Sequence, residues 1–567
     1  MPRLNALLAT LLSAALLWLA LALPARAQWT NDPINGMVPV CTADGEQAHL
    51  RMCQLAADHT FYAWTDERST PHMIHYQVSD VLGNLLREIN GEPIVNGSWT
   101  TAWASAGNVL SDGEGGCIAI FEDYRSGPRN IYGQRFDSLG NRLWGPTGLQ
   151  LVFWSLGGEV QLKDVESDGQ GGCFIGYGIA YSTPDPDIDI YVQKINSSGQ
   201  LLWGSYGVPI HVDPDTTSAE DKLVSDGHGG VMDVWKKYIN EEQGYLWAQH
   251  FDSSGNRLWQ PGGIPVRNPS SGNILPGSPF AGVPDGFGGG IWAYSPPLPY
   301  LMAFRLLPIG RVAWLFNSDT YWNYGLTQML RHPADGSIWL SSIVNWPNSF
   351  DPYVFRLAPR TGFAYFGEEG VPWGGQTMTA ISDGVISFFV PVSSSGGYPN
   401  SRLKTQRISR SGRLVWQTFA ALCGPLPNHN LAFWDPKCVS DGADGAICAW
   451  EDLRNYPQTG IDIYAQRVRS DGQLGNPTTL EPDIPGGQIG GISQSGGGIN
   501  YHLIQAAQVK VELFDILGRC VALLEEGYKS AGTFSIHLEQ FNLPSGVYLV
   551  SILTPQDRRI GKVVIWH

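Results

Sequence analysis

Apolar and polar positions alternate along most of the chain in short runs that end at a glycine or an Asp-Gly pair. Cys117-Ile-Ala-Ile-Phe121 and Ala446-Ile-Cys-Ala-Trp450 are apolar throughout, as a strand buried on both faces would be. Ile131-Tyr-Gly-Gln-Arg-Phe136 and Ile463-Tyr-Ala-Gln-Arg-Val468 also read as strands. These runs recur. Asp137-Ser-Leu-Gly140-Asn-Arg-Leu-Trp144 returns as Asn196 to Trp203, as Asp252 to Trp259, and more loosely as Leu307 to Trp314 and Ser409 to Trp416. Registered on the glycine, the repeats fall at Gly83, Gly140, Gly199, Gly255, Gly310, Gly362, Gly412 and Gly472, with intervals of 50 to 60 residues. An Asp-Gly pair, a strong hairpin signal, precedes seven of these glycines, at Asp112, Asp168, Asp226, Asp285, Asp335, Asp383 and Asp441, and Asp58-His59 stands there in the first repeat. A glutamine stands six residues before most of them, at Gln77, Gln134, Gln193, Gln249, Gln406 and Gln466, with Phe304 and Arg356 in the two degenerate copies.

Each repeat therefore reads as strand, Asp-Gly hairpin, strand, variable loop, strand, Gly turn and a last strand. Four strands per unit of this length fit one blade of a β-propeller, and the lack of long helical periods disfavours a helical solenoid. The Asp-x-x-Gly-x-x-x-Trp segment resembles the tryptophan-docking motif of quinoprotein-type propellers, in which the Trp of one blade packs against the next. Asp137/Gly140/Trp144 and Asp252/Gly255/Trp259 carry the match best, while the repeats of Gly83 and Gly472 lack the Trp. The expected fold is all-β, a propeller of eight four-stranded blades, with seven blades and one divergent repeat outside the ring as the alternative.

Residues 482–499 are rich in Gly and Ser and read as a linker. Beyond them, Val509-Lys-Val-Glu-Leu-Phe-Asp515, Phe534-Ser-Ile-His-Leu538 and Val547-Tyr-Leu-Val-Ser-Ile552 predict a small immunoglobulin-like β-sandwich over 500–567. Tyr501-His-Leu503, Val511-Glu-Leu-Phe-Asp-Ile-Leu-Gly-Arg519, Ser530-Ala-Gly532, Leu543-Pro-Ser-Gly-Val-Tyr-Leu549 and Lys562-Val-Val-Ile565 resemble the C-terminal sorting domain of type IX secretion cargo. That resemblance implies a secretion-machinery partner for residues 500–567, passage through the outer membrane of a Gram-negative bacterium, and release or surface attachment. At the other end, Arg3, an apolar Leu7 to Leu23 and Ala25-Arg26-Ala27 read as a signal peptide over 1–27, leaving 28–481 for the propeller.

Composition narrows the function classes. The 567 residues include 68 Gly, 38 Pro and 21 Trp, and 16% are charged, for a net charge of −16. Such turn-rich, charge-poor make-up suits stacked sheets, and the acidic balance gives no footing for a nucleic-acid partner. No other apolar run approaches the length of a membrane span, so the mature chain is expected to be soluble, and a monomer. Export places its eight Cys where disulfides can form, and Cys41/Cys53 and Cys423/Cys438 are near enough in sequence to pair. Cys117 and Cys173 share one repeat position and read as core.

Candidate chemistry is sparse. Glu122-Asp123-Tyr124-Arg125, Glu451-Asp452-Leu453-Arg454 and Asp66-Glu67-Arg68 resemble paired carboxylates. Adjacent strand residues point to opposite faces, however, so a turn or blade-to-blade role is the better reading. Sialidase-type and quinoprotein enzymes are the natural comparisons for a propeller. The Asp-to-Gly spacing here is wider than a sialidase Asp-box, and no vicinal Cys pair is present. No catalytic residue and no cofactor are expected. Asp185, Asp187 and Asp189 offer alternating oxygens for Ca²⁺, although a solvated acidic loop is the better reading of them, and His72 and His75 read as surface residues. Tyr321, Trp322 and Tyr324 form an aromatic cluster suited to sugar or peptide binding. The repeat aromatics Trp64, Phe121, Tyr177, Trp235 and Trp450 read as core. The functional expectation is a secreted or cell-surface, non-catalytic protein that binds an extracellular glycan or protein. The alternative is an extracellular hydrolase of glycans or other polymers, with its site at the propeller channel.

Overall fold

The computed structural model describes residues 29–565 except 34–35, 57–58, 98–100, 103–107, 128, 155, 182–187, 213–216, 241–242, 267–277, 297–300, 319–322, 347–348, 373–374, 390–402, 424–433, 457, 477–488, 496–497, 504–505, 515–519, 542 and 555–557. Two compact units divide the chain, residues 1–476 and 477–567.

In the first unit the repeats become eight antiparallel sheets of four main strands. Blade 1 runs outward through Gln47–Gln54, Thr60–Asp66, Met73–Ser79 and Glu92–Pro93; blade 3 through Glu159–Ser167, Cys173–Ala180, Ile188–Ile195 and Val208–His211; blade 4 through Thr217–Ser225, Val231–Asn240, Gln243–Phe251 and Ile264–Pro265. Blade 2 begins at Asn108–Ser111, with Thr101–Ala102 also pairing onto its second strand, Cys117–Asp123. Blades 5, 6 and 7 begin at Phe280–Pro284, Asn323–Arg331 and Thr377–Ile381. Blade 8 takes Trp434–Ser440, Ala446–Asp452 and Asp462–Val468 from one end of the unit and its outermost strand, Val38–Cys41, from the other. The first strands of successive blades are neighbours, and that of blade 8 lies beside that of blade 1. This is an eight-bladed propeller with a closed ring, and the seven-bladed alternative does not apply.

The second strand of each blade is sandwiched between its sheet neighbours and the adjoining blades, so it must be apolar on both faces. Cys117–Asp123 and Ala446–Asp452 are buried at every position. Trp64, Phe121, Tyr177, Trp235 and Trp450 all sit at 0% exposure at one place on that strand.

Three recurrent residues make the turns. In blades 2, 3, 4, 5 and 8 the Asp of the Asp-Gly pair caps a five-residue turn with its side chain: Asp112 Oδ1 accepts from the Glu114 and Gly116 amides, both at 2.8 Å. There this Asx-type capping replaces the two-residue hairpin that Asp-Gly suggests, whereas in blade 7 Ile381 pairs with Gly384 across a two-residue turn. The buried glutamine holds the opposite turn. Gln134 Oε1 accepts from the Arg135 and Trp144 amides while its Nε2 donates to Gly145 O at 2.7 Å. The third residue is the docking Trp. Trp144, Trp203, Trp259, Trp314 and Trp416 donate their indole N–H to a carbonyl in the next blade's glycine turn, at 2.9 to 3.2 Å. A Cβ on Gly362 would stand 2.7 Å from Trp314, and the turn φ of +71° also favours glycine there.

The blades that lack this Trp fill its place differently. Arg87 occupies it in blade 1, donating to Leu139 O and lying 3.3 Å from where a Gly140 Cβ would be. Phe366 occupies it in blade 6, against Gly412. In blade 8 the partner of Gly83 is Trp29, which the chain supplies from its other end: its ring stands 2.7 Å from a Gly83 Cβ, and Gln466 Nε2 donates to Thr30 O.

Two alignments shift in blade 6. Strand register places Phe355 opposite Leu340 and Arg356 at the position of Arg135, so Phe355, not Arg356, stands in the glutamine place. The cause is one additional residue in the turn between Leu357 and Ala364. His332, not Asp335, stands where Asp112 stands in blade 2.

The second unit has a three-stranded sheet of Ile489–Ser495, Gly498–Leu503 and Gly532–His537, and a four-stranded sheet ordered Cys520–Lys529, Ala507–Phe514, Gly546–Leu553, Arg558–Ile565. Its core includes Ile499, Tyr501, Val509, Val511, Leu513, Val550, Ile552 and Val563. Residues 489–495 are thus a strand, although 482–499 reads as linker: Ser495 pairs with Gly498 and Ile489 with Leu503, so glycine here accompanies an edge strand.

The seven cysteines whose side chains are described are all free thiols, so the pairings Cys41/Cys53 and Cys423/Cys438 do not form in this structure. Cys41 lies on the outer strand of blade 8 beside Asp66 and Arg68, whereas Cys53 packs in the core shared by blades 1 and 2. Cys117 and Cys173 are fully buried.

Ring closure through Trp29 carries a test. Replacing Trp29 by Ala removes a fully buried aromatic and the closing contact together, with an expected cost of about 3–5 kcal/mol. Thermal unfolding of the propeller unit is the readout. A W29A midpoint equal to that of the unaltered chain would contradict closure through this residue.

Candidate functional site

The recurrent acidic motif is structural in each blade where it occurs. Asp66, Asp123 and Asp452 have 0% side-chain exposure and hold Arg68, Arg125 and Arg454 two residues on. Asp66 and Asp452 also accept from the indole N–H of Trp64 and Trp450, both at 2.8 Å. Arg68 beside Asp66 contributes to holding that carboxyl below its usual range despite its burial, and the Trp64 bond acts in the same direction. The neighbouring glutamates tie blade to blade. Glu122 Oε1 accepts from the Leu162 amide of blade 3, and Glu451 Oε1 from the Leu50 amide of blade 1, both at 3.1 Å. These amides lie in or beside bulged stretches of the inner strands. The Glu and Asp of one motif face different partners, as adjacent strand positions must.

Of the proposed aromatic site, Tyr321 and Trp322 lie outside the described residues, and Tyr324 is placed only as a backbone position on Asn323–Arg331, paired with Val344. Of the proposed Ca²⁺ ligands, Asp185 and Asp187 lie outside the described residues. Asp189 is buried on the third strand of blade 3, opposite Ile179. Among the described residues no group of three or more His, Cys, Asp or Glu could hold a metal ion. His75 is buried, unlike the surface residue its context suggests, because strand pairing with Trp64 draws it inside. His72 is exposed.

Sequence reasoning missed one cluster of carboxyls, on the inner strands of blades 3 and 4 and the strand beside them. Asp164 and Glu166 lie on Glu159–Ser167, Asp221 on Thr217–Ser225 and Asp233 on Val231–Asn240. Asp164 is fully engaged, accepting from Lys222 Nζ at 2.7 Å and from the Leu223 amide at 2.9 Å. Glu166 accepts from the Ser225 amide at 3.2 Å. Asp221 and Asp233 differ. Both have 0% exposure, and no oxygen of either makes a hydrogen bond among the described residues. Gly176 of blade 3 leaves the space into which Asp221 fits. Burial, reinforced by Asp164, pushes Asp221 up to about 7, and burial with the Asp221 charge beside it raises Asp233 well above the carboxylate range. Glu166, a half-buried residue whose carboxyl sits deep among these neighbours, is pushed up to about 8 by burial. Lys163 and Lys222 pull Asp221 the other way. The signal in the sequence is these four acids at inner- and second-strand positions of two successive repeats.

This cluster can store protons, and its innermost pair is sealed from water. Unfolded, these carboxyls titrate near 4. Folded values of about 7 for Asp221 and about 8 for Glu166 mean that their stabilising contribution is complete below about 4 and lost as the pH rises through 7 and 8. Thermal unfolding across this range should show a falling midpoint toward alkaline pH, with a shallower fall in D221N. A midpoint level between about pH 5 and about pH 9 would contradict the assignment.

Comparison with known proteins places one domain. Residues 497–566 match the family of secretion system C-terminal sorting domains. No curated protein matches the chain. Among solved structures, similarity extends to an α-L-arabinanase of Penicillium chrysogenum complexed with arabinobiose (14% identity, 54% of this chain and 92% of that one, TM-score 0.35). It extends also to the periplasmic gluconolactonase PpgL of Pseudomonas aeruginosa (12% identity, 65% and 97%, TM-score 0.38). A third is PorZ, a surface component of the type IX secretion system of Porphyromonas gingivalis (11% identity, 91% and 81%, TM-score 0.24). All three similarities are remote, and the architecture stands on the strand pairing itself. Among the described residues no helix is long and apolar enough to cross a membrane. The chain is an eight-bladed β-propeller joined to a C-terminal sorting domain of the type IX secretion pathway, which marks it for secretion or the cell surface.

Proposed function

We propose that the exported propeller acts at the cell surface or in the medium as a non-catalytic binding protein. The observation that carries this reading is the use to which its carboxylates are put. The recurrent Asp and Glu residues are committed to Arg, Trp and backbone amides within or between blades, and the two unpaired acids of the inner cluster, Asp221 and Asp233, are closed to solvent. A hydrolytic site needs an acid and a base that reach the bond to be broken. The inner cluster is also what favours the second reading, a polymer hydrolase, because Asp164 and Glu166 are part-exposed on an inner strand. Against it, both Asp164 oxygens already accept bonds.

The two readings separate experimentally. The purified mature chain is expected to leave a broad panel of glycan and peptide substrates intact and to bind members of a glycan array. Turnover of any substrate that is lost in E166Q would establish the hydrolase instead. The route of export has its own test: removal of residues 500–567 should trap the propeller in the periplasm, and unchanged appearance outside the cell would contradict it.

A further inference from the structure

Blade 4 differs from blades 1, 2 and 8 at one place, and a cleft lies beside it. The second-strand position held by Asp66, Asp123 and Asp452 in blades 1, 2 and 8 is Lys237 in blade 4. The preceding aromatic is retained as Trp235, fully buried. Its indole N–H, which in blades 1 and 8 donates to that Asp, has no acceptor among the described residues. A second acid, present in blade 1, has no counterpart nearby. In blade 2, Arg142 stands 3.9 Å from Glu92 on the outer strand of blade 1. The corresponding arginine of blade 4, Arg257, donates to Pro209 O on the outer strand of blade 3, where Val208 holds the place of Glu92. No ion pair involves Arg257 among the described residues.

Lys237 and Arg257 line the same cavity, a cleft of about 610 Å³ between the outer strands of blades 3 and 4. Its walls include His211, Lys237, Trp247, Arg257 and the backbone of Gly262 and Gly263, and none of its eleven described lining residues is acidic. Lys237 Nζ lies 5.2 Å over the Trp247 ring, and His211 stacks on Trp235 at 5.8 Å. Among the described lining residues the formal charges are those of Lys237 and Arg257, beside an aromatic wall. Its volume falls in the range of small-ligand sites and far exceeds what a lone inorganic anion fills. Arg supplies a planar fork for a carboxylate or sulfate, Lys a point charge, and Trp a face for a sugar ring.

We infer that this cleft binds an acidic saccharide, with its carboxylate or sulfate between Lys237 and Arg257 and its ring against Trp247. The inference rests on the binding reading above and gives that reading a ligand class and a place. None of the inner-strand acids lines the cleft.

The test is direct titration of the mature chain, by calorimetry or Trp fluorescence, with trigalacturonate and a chondroitin sulfate tetrasaccharide. Cellotriose and inorganic sulfate serve as comparison ligands. Saturable binding of an acidic oligosaccharide is expected, at least tenfold tighter than cellotriose or sulfate and weakened by added salt. K237D, which restores the arrangement of blades 1 and 8 and gives Trp235 an acceptor, should unfold no earlier than the unaltered chain yet bind at least tenfold more weakly. R257Q should weaken binding similarly. Equal affinity for cellotriose, affinity matched by sulfate alone, absence of acidic-saccharide binding, or binding unchanged in both variants would each overturn the inference. Array binding that persists in K237D would overturn this site while leaving the general binding reading intact.

Discussion

The ring depends on one interaction repeated eight times, a bulky side chain at the end of each blade packed over the glycine turn of the next. A propeller blade cannot bury its two faces alone, so each needs a neighbour on both sides, and the last must find the first. Five indoles, one phenyl ring and one guanidinium make seven of these contacts, and Trp29 makes the eighth across the chain's two ends. The strand Val38–Cys41 then pairs antiparallel with Asp462–Val468, adding backbone bonds to the same seam. Closing it fixes a loop of more than four hundred residues, an entropic demand that grows only logarithmically with length. The Leu50 amide on Glu451 adds a side-chain bond across the seam.

Much of this was legible in the sequence, and the parts that were not share a cause. The period, the four-strand unit, the buried aromatics and the C-terminal domain follow from apolar patterning and turn residues, which are local. The docking partners in blades 1, 6 and 8 were hidden because the position is occupied while the residue type changes. Arg87 stands ten residues after Gln77, as Trp144 stands ten after Gln134, but an arginine does not announce a packing role. Trp29 precedes the first repeat altogether, so no alignment of repeats includes it. A single inserted residue in the blade 6 turn displaced Arg356 from the place its spacing implied. The Asp-Gly pairs were correctly read as turns, yet their chemistry lies in the carboxylate, which caps two amides.

The candidate sites followed the opposite rule. Function in a repeat protein is found where the repeat fails, and a failure cannot be seen until the register is known. Asp221 and Asp233 interrupt strands that packing requires to be apolar, and Lys237 with Val208 stands where blade 1 uses two acids for structure. Both departures fall on blades 3 and 4. Glu122 and Glu451, which looked like chemistry because they recur, recur because two blade junctions pose the same problem of an unpaired inner-strand amide.

The central claim, that a closed ring of eight blades depends on its N-terminal segment, is tested most directly by native-state hydrogen exchange at the seam. The amides of Val38, Val40 and Cys41 that bond across the pair, and those of the partners Ile463 to Ala465, should exchange only through global unfolding, with the same protection as the second strands of blades 3 and 4. Exchange at the seam through local opening, at a free energy well below that of the other blades, would contradict it.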